Sequence, residues 1–161
     1  VTRDDFAGLA KVTVAARDYG IKVAADESCR SARDARVLTG TDVGTAAEAT
    51  RCCDIINIKL AKVGVVEALE IVDVCTRVGV ELMIGGMVET RLGMGFSASM
   101  AAGLGCFTYV DLDTPLLLGD DAVIGDGVTL EDSMWTCGGG VDAPGLGLTL
   151  RERSDEPWVM Q

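Results

Sequence analysis

Asp54-Ile55-Ile56-Asn57-Ile58-Lys59-Leu60-Ala61-Lys62 decides how the rest of the chain is read. Its apolar run is short and does not alternate with polar residues. That pattern suits a parallel strand covered on both faces better than a half-exposed antiparallel one. A helix is predicted over Val65 to Arg77, with Val65, Leu69, Val72 and Thr76 on its apolar stripe.

The same order of strand, polar end and helix recurs on both sides. Upstream, Phe6, Leu9, Val12, Ala16 and Tyr19 follow helical spacing until Gly20, and Ile21 to Ala25 reads as a buried strand ending at Asp26-Glu27-Ser28. Ser31 to Leu38 opens another helix, interrupted by Thr39-Gly40-Thr41-Asp42-Val43-Gly44. Downstream, Val80 to Ile84 and Phe107 to Leu112 read as strands, separated by a helix from about Arg91 to Gly103. The strand-end markers Asp26, Lys59, Gly85 and Asp111 are 33, 26 and 26 residues apart, each interval holding one helix and two short loops. Successive βα units of this kind build either a doubly wound sheet or part of a (β/α)8 barrel. From Gly119 onward the helical period disappears, and short strands are predicted at Val128 to Leu130 and Gly147 to Leu150.

Composition narrows the function classes. The 161 residues are 48% hydrophobic, which excludes a disordered acidic tail. Histidine is absent, so chemistry that depends on imidazole is absent with it. A formal net charge of -11 argues against binding nucleic acid through its phosphates. No apolar stretch is long enough to span a membrane, and no secretory signal is visible. The six cysteines lack metal-ligand spacing and read as buried thiols of a reducing, cytoplasmic compartment.

In both parallel architectures, chemistry collects at the C-terminal ends of the strands. Here those ends carry Asp26 and Glu27, then Lys59 and Lys62, then Gly85-Gly86, then Asp111 and Asp113. Acids beside helix N-termini are often only caps, but four strands delivering polar groups to one rim suggests a site. Asp26 can offer a hard oxygen to Mg²⁺. Lys59 closes an apolar strand, where desolvation and a nearby cation would lower its pKa and free a neutral amine as general base. A lysine that merely snorkels from the strand end is the plainer reading. Asp111 and Asp113 are expected on the same side of an extended strand end, suited to a cation or a substrate ammonium. Gly85-Gly86 allows close backbone approach to a ligand, or simply a tight turn.

Ala25-Asp26-Glu27-Ser28, Asn57-Ile58-Lys59-Leu60-Ala61-Lys62, Gly85-Gly86-Met87-Val88-Glu89-Thr90-Arg91-Leu92-Gly93 and Asp111-Leu112-Asp113-Thr114-Pro115 occur in this order. Together they resemble the C-terminal half of the enolase superfamily, in its muconate-lactonizing-enzyme subgroup. The Asp111-to-Pro115 element is similar to that of dipeptide epimerases of the L-Ala-D/L-Glu type. The resemblance runs to about residue 118, and Pro144-Gly145-Leu146-Gly147 is similar to the family's return segment.

The resemblance implies that residues 1–118 supply strands five to eight of a (β/α)8 barrel, and that 119–161 form a tail returning towards a capping domain. It implies a Mg²⁺ carboxylate at Asp26, a catalytic lysine at Lys59 and an ammonium clamp at Asp111 and Asp113. It also implies substrate contact at Gly86, Met87 and Glu89. The implied reaction is 1,1-proton transfer at the α-carbon of a small dipeptide, with one lysine removing the proton and an opposed lysine returning it.

The chain departs from the family pattern in three places. Val63-Gly64-Val65 stands where adjacent glycines are usual, and an insertion around Leu38 to Thr50 lengthens the interval before Lys59. The family's two earlier metal carboxylates and its Lys-x-Lys base have no counterpart in these residues. The expectation is a fragment that is inactive alone and needs a missing N-terminal half or an oligomeric partner. Muconate cycloisomerase, o-succinylbenzoate synthase and N-acylamino acid racemase are the sister activities. A non-catalytic half-barrel paired with a second chain is the alternative from another class.

Overall fold

A computed structural model of the chain describes residues 1–41, 50–138 and 144–151. Helix α1 (Phe6–Arg17) leads to strand β1 (Ala24–Ala25), α2 (Ala32–Thr39) to β2 (Ile55–Lys59), α3 (Leu60–Val78) to β3 (Glu81–Gly85), and α4 (Arg91–Leu104) to β4 (Tyr109–Val110). The four strands form one parallel sheet in the order β1-β2-β3-β4. Sequential order, parallel pairing and an intervening helix at each step are the pattern of a (β/α) barrel, since a doubly wound sheet reverses direction at a switch point. Most of the insertion inferred around Leu38 to Thr50 lies outside the described residues.

Local signals explain the helix boundaries. Asp5 caps α1 by accepting from the Gly8 N–H, and Ser31 caps α2 by accepting from the Asp34 N–H. Gly40, Gly79 and Gly105 end their helices in the left-handed conformation. The strands are shorter than the apolar runs suggest. Ile21 is exposed and only Ala24 and Ala25 pair in β1; in β4 only Tyr109 and Val110 do so.

The helix faces differ more. In α1 the buried positions are Ala10 and Thr13, with Phe6 and Leu9 packed beside them, while Val12 and Tyr19 face outward. In α3 the buried stripe is Ala68, Ile71 and Cys75, with Val72 at its margin; Val65 and Leu69 are exposed. Small residues occupy the sheet-facing side because they allow the helix to lie close to the strands. Helix α3 also begins at Leu60 rather than Val65, and Gly64 (φ 76, ψ 170) breaks it into a short turn and a long body.

The core gathers Leu38, Ile56, Ile58, Ile71 and Leu82 around β2 and β3. Cys29, Cys53 and Cys75 lie within it, and burial pushes each thiol up to about 12, so they are packing groups rather than nucleophiles. Cys137 breaks the expectation of buried thiols by being exposed, and Cys106 is only half-buried. All six cysteines are free.

At the lower end of the sheet, Asp54 receives two bonds from the Arg17 guanidinium, at 2.6 and 3.1 Å, and one from the Val23 N–H. Desolvation pulls this carboxyl upward, but the arginine and the N–H outweigh it and hold Asp54 below the usual carboxylate range. A lowered folded-state pKa contributes stability that is present above the unfolded value, about 3.9, and is lost as pH falls through the folded one. Asp54→Asn should therefore flatten the acid limb of a stability-versus-pH curve while leaving its shape near neutrality. An acid limb of unchanged steepness in urea titrations from about pH 5 down to about pH 2 would count against this.

Beyond β4 no further βα unit follows among the described residues. A short 3₁₀ turn (Thr114–Leu117) leads to β5 (Val123–Ile124), β6 (Val128–Glu131), β7 (Met134–Cys137) and β8 (Thr149–Leu150). Strands β5 and β8 pair antiparallel, as do β6 and β7. This segment is fastened to α4. Arg91 reaches Asp121 and the carbonyls of Val123 and Gly125, while buried Val128 packs on Gly95 so closely that a Cβ there would stand 2.9 Å from it. No described helix is long and apolar enough to cross a membrane.

Candidate active site

Parallel register carries four chain segments to one rim. Ala25 pairs with Ile56, Lys59 with Gly85, and Ile84 with Val110. Asp26, Lys59, Gly86 and Asp111 are therefore set at the C-terminal ends of adjacent strands, as the strand-end markers suggest.

Asp26 is the hub. Lys59 Nζ meets Asp26 Oδ2 at 2.9 Å, and Lys62 Nζ meets both Oδ1 and the main-chain oxygen of Asp26, the latter at 2.7 Å. Asn57 Nδ2 donates to Oδ2 at 3.1 Å. Burial pulls the Asp26 carboxyl upward, but Lys62 and Lys59 outweigh it and keep it ionised well into acid. The expected lowering of the Lys59 pKa is corrected here: the hydrogen bond that Lys59 donates to Asp26 pushes it up, against desolvation, and the charges of Glu27 and Asp111 add to the rise. As paired, Lys59 is held in its acid form, ready to give a proton. Taking one requires the negative charge of Asp26 to be offset.

Asn57 is buried, and its Oδ1 is the only buried side-chain oxygen or nitrogen without a partner among the described residues. The amide lies against the Cα of Gly85, where a Cβ would come within 2.8 Å of Oδ1. A side chain at position 85 would press on the buried Asn57 amide, so close approach, rather than a turn, favours glycine there. Sequence reasoning assigned no role to Asn57 or Lys62. One amide inside an otherwise apolar strand was the available signal for the first.

The other predicted residues divide into two groups. Asp111 continues the ladder through its N–H to Ile84 O at 2.9 Å, whereas Asp113 sits at the cap of the following 3₁₀ turn, so the pair straddles the end of the strand instead of riding on it. Buried Leu112 separates the two exposed aspartates, and its carbonyl accepts from Trp135 Nε1 at 3.0 Å, tying the pair to the C-terminal hairpin. Met87 is exposed, and its N–H donates to Glu89 Oε1 at 3.0 Å, so the Glu89 carboxylate folds back on its own loop. The Glu89 N–H in turn donates to Thr114 Oγ1.

As to metal chemistry, the described residues contain no group of three or more His, Cys, Asp or Glu side chains arranged to hold an ion. Asp26 does fit one place in such a set. It is a hard, ionised carboxylate at a strand end.

Comparison with known proteins agrees with this architecture. Residues 1–154 match the family model described as enolase C-terminal domain-like. An L-Ala-D/L-amino acid epimerase of Populus trichocarpa is 56% identical over 126 residues, which cover 77% of this chain and 28% of that protein. The substrate-liganded L-Ala-D/L-Glu epimerase of Bacillus subtilis superposes with a TM-score of 0.77 at 39% identity, covering 92% of this chain and 37% of that one. A dipeptide epimerase of Cytophaga hutchinsonii, solved with Mg and D-Ala-L-Val, gives 0.75 at 30% identity, covering 94% and 38%. The chain spans about a third of the length of the curated relatives it matches. Its ordered parallel strands, its polar rim and these likenesses agree: the chain belongs to the enolase C-terminal domain-like family and supplies part of that family's (β/α)8 barrel.

Proposed function

We propose that this chain is the C-terminal part of a Mg²⁺-dependent dipeptide epimerase, with residues 1–118 completing the barrel and 119–161 returning towards a capping domain. The observation that carries the reading is the pairing of Lys59 with Asp26 at a rim shared with Asp111. Lys59 exchanges a proton with the substrate α-carbon on one face. Asp26 gives one oxygen to Mg²⁺, which when bound supplies positive charge to the substrate carboxylate as the α-proton leaves. Asp111 and Asp113 receive the substrate's α-ammonium, and Gly86, Met87 and Glu89 form the loop against its body.

One lysine cannot serve both faces of a carbon, and one carboxylate is a weak Mg²⁺ site. The second base and further ligands therefore come from sequence outside this chain, and the chain alone is inactive. The test is α-deuterium incorporation into L-Ala-L-Glu in deuterated water. The full-length protein should incorporate deuterium only with Mg²⁺, and residues 1–161 alone should not. Incorporation by the isolated chain would overturn the second statement, and none by the full-length protein on any dipeptide would overturn the first.

The ammonium clamp separates this reading from its sister activities. Asp111→Asn should lower kcat/KM on dipeptides by about 10–100-fold, because a charge-assisted contact to the ammonium is lost. Substrates without a free α-ammonium should be turned over by the variant as by the parent. Equal losses on both classes would remove Asp111 from that role.

A further inference from the structure

We propose that Lys62 is a positioning residue that fixes the Asp26 carboxylate for a divalent cation. This rests on the reading of Asp26 given above. Lys62 lies in the short turn that Gly64 cuts from the body of α3, and that turn folds its side chain back across the sheet to β1. Both its hydrogen bonds go to a single residue: one to the main-chain oxygen of Asp26 and one to Oδ1. Gripping the backbone and the carboxylate together leaves the side chain little freedom to rotate. The ammonium is largely shielded, its side chain 15% exposed.

The two carboxylate oxygens are held differently. Oδ2 is met by Lys59 and Asn57, which reach only the side chain, whereas Oδ1 is met by a group that is also anchored to the main chain. A carboxylate oxygen can accept more than one bond, so the single bond from Lys62 to Oδ1 does not use up the carboxylate. Two effects of Lys62 on a cation oppose each other. Its positive charge repels the ion, and its hydrogen bonds orient the ligand. Loss of partners that orient metal ligands typically weakens binding about 10–100-fold, and orientation is expected to dominate because Lys62 is anchored to the Asp26 main chain as well as to its carboxylate.

The experiment titrates Mg²⁺ into the full-length protein by calorimetry, with Mn²⁺ paramagnetic resonance as a second readout. Lys62→Met should raise the Mg²⁺ dissociation constant about 10–100-fold. Lys62→Arg, which keeps charge and donors, should stay within about threefold of the parent. At saturating Mg²⁺, kcat for Lys62→Met should return towards the parent value with the substrate KM unchanged. Unchanged or tighter Mg²⁺ binding by Lys62→Met overturns the proposal, as does a kcat loss that Mg²⁺ does not restore. Should Lys62→Met not fold, Lys62→Gln is read by the same criteria. Asp26→Asn separates the two levels. If it leaves Mg²⁺ binding intact, Asp26 is not a ligand; if it weakens binding and Lys62→Met does not, only the role of Lys62 falls.

Discussion

Replacing Lys59 with alanine in the full-length protein should slow epimerisation by about 10²–10⁴-fold, the usual contribution of a positioned acid–base group. The loss should also be one-sided. On the proposed reading Lys59 addresses one face of the α-carbon, so one epimer should still exchange its α-proton with deuterated water through the opposed base. The other epimer should not. Proton NMR of each epimer, incubated separately, reads both rates. Equal residual exchange of the two would mean that Lys59 serves neither face selectively, and unchanged exchange would remove it from the chemistry. The substitution leaves Asp26 bonded to Lys62 and Asn57, so a lost rate would report on proton transfer more than on the shape of the rim.

Ile71→Ala should cost about 2–5 kcal/mol of unfolding free energy, as a large buried side chain is removed from a packed interior. Ile71 is 0% exposed between α3 and the sheet. Leu69→Ala, two residues earlier, should cost less than about 1 kcal/mol, because that side chain is 45% exposed. Urea unfolding of both variants measures the contrast. Comparable losses at the two positions would mean that the outward face of α3 is covered in the full-length protein.

That contrast marks where the sequence was legible. The strand ends could be read because a parallel strand buried on both faces leaves an unbroken apolar run, and its polar terminus stands out. Ala25 before Asp26 and Ile58 before Lys59 are of this kind. The helix faces were not legible in the same way. Helices α1 and α3 carry valine or leucine on their outer sides, at Val12, Val14, Val66 and Leu69, while alanine, threonine and cysteine fill much of the inner ones. A search for large apolar residues therefore mixes the two faces, taking Phe6, Leu9 and Val72 with the core but Val12, Val65 and Leu69 from the outside.

The site was legible as a set of positions but not as a set of contacts. Asp26 and Lys59 were both marked, yet their pairing across 33 residues depends on register, and that pairing reverses the expected direction of the Lys59 shift. Lys62 was visible only as a second lysine. Its hold on Asp26 depends on the break at Gly64, and a glycine between valines does not announce a change of chain direction.

The break at Gly64 also separates two kinds of inheritance. Residues before it, Lys59 and Lys62, pair with Asp26 at the proposed site, and residues after it, Ala68, Ile71 and Cys75, pack in the core. A break in the helical geometry between them lets the helix body accumulate substitutions or acquire new neighbours without a continuous helix carrying the change into the lysine turn. Variation in packing and variation in catalysis can then be selected independently, which is the condition under which one barrel can be adapted to many substrates while its rim stays in place.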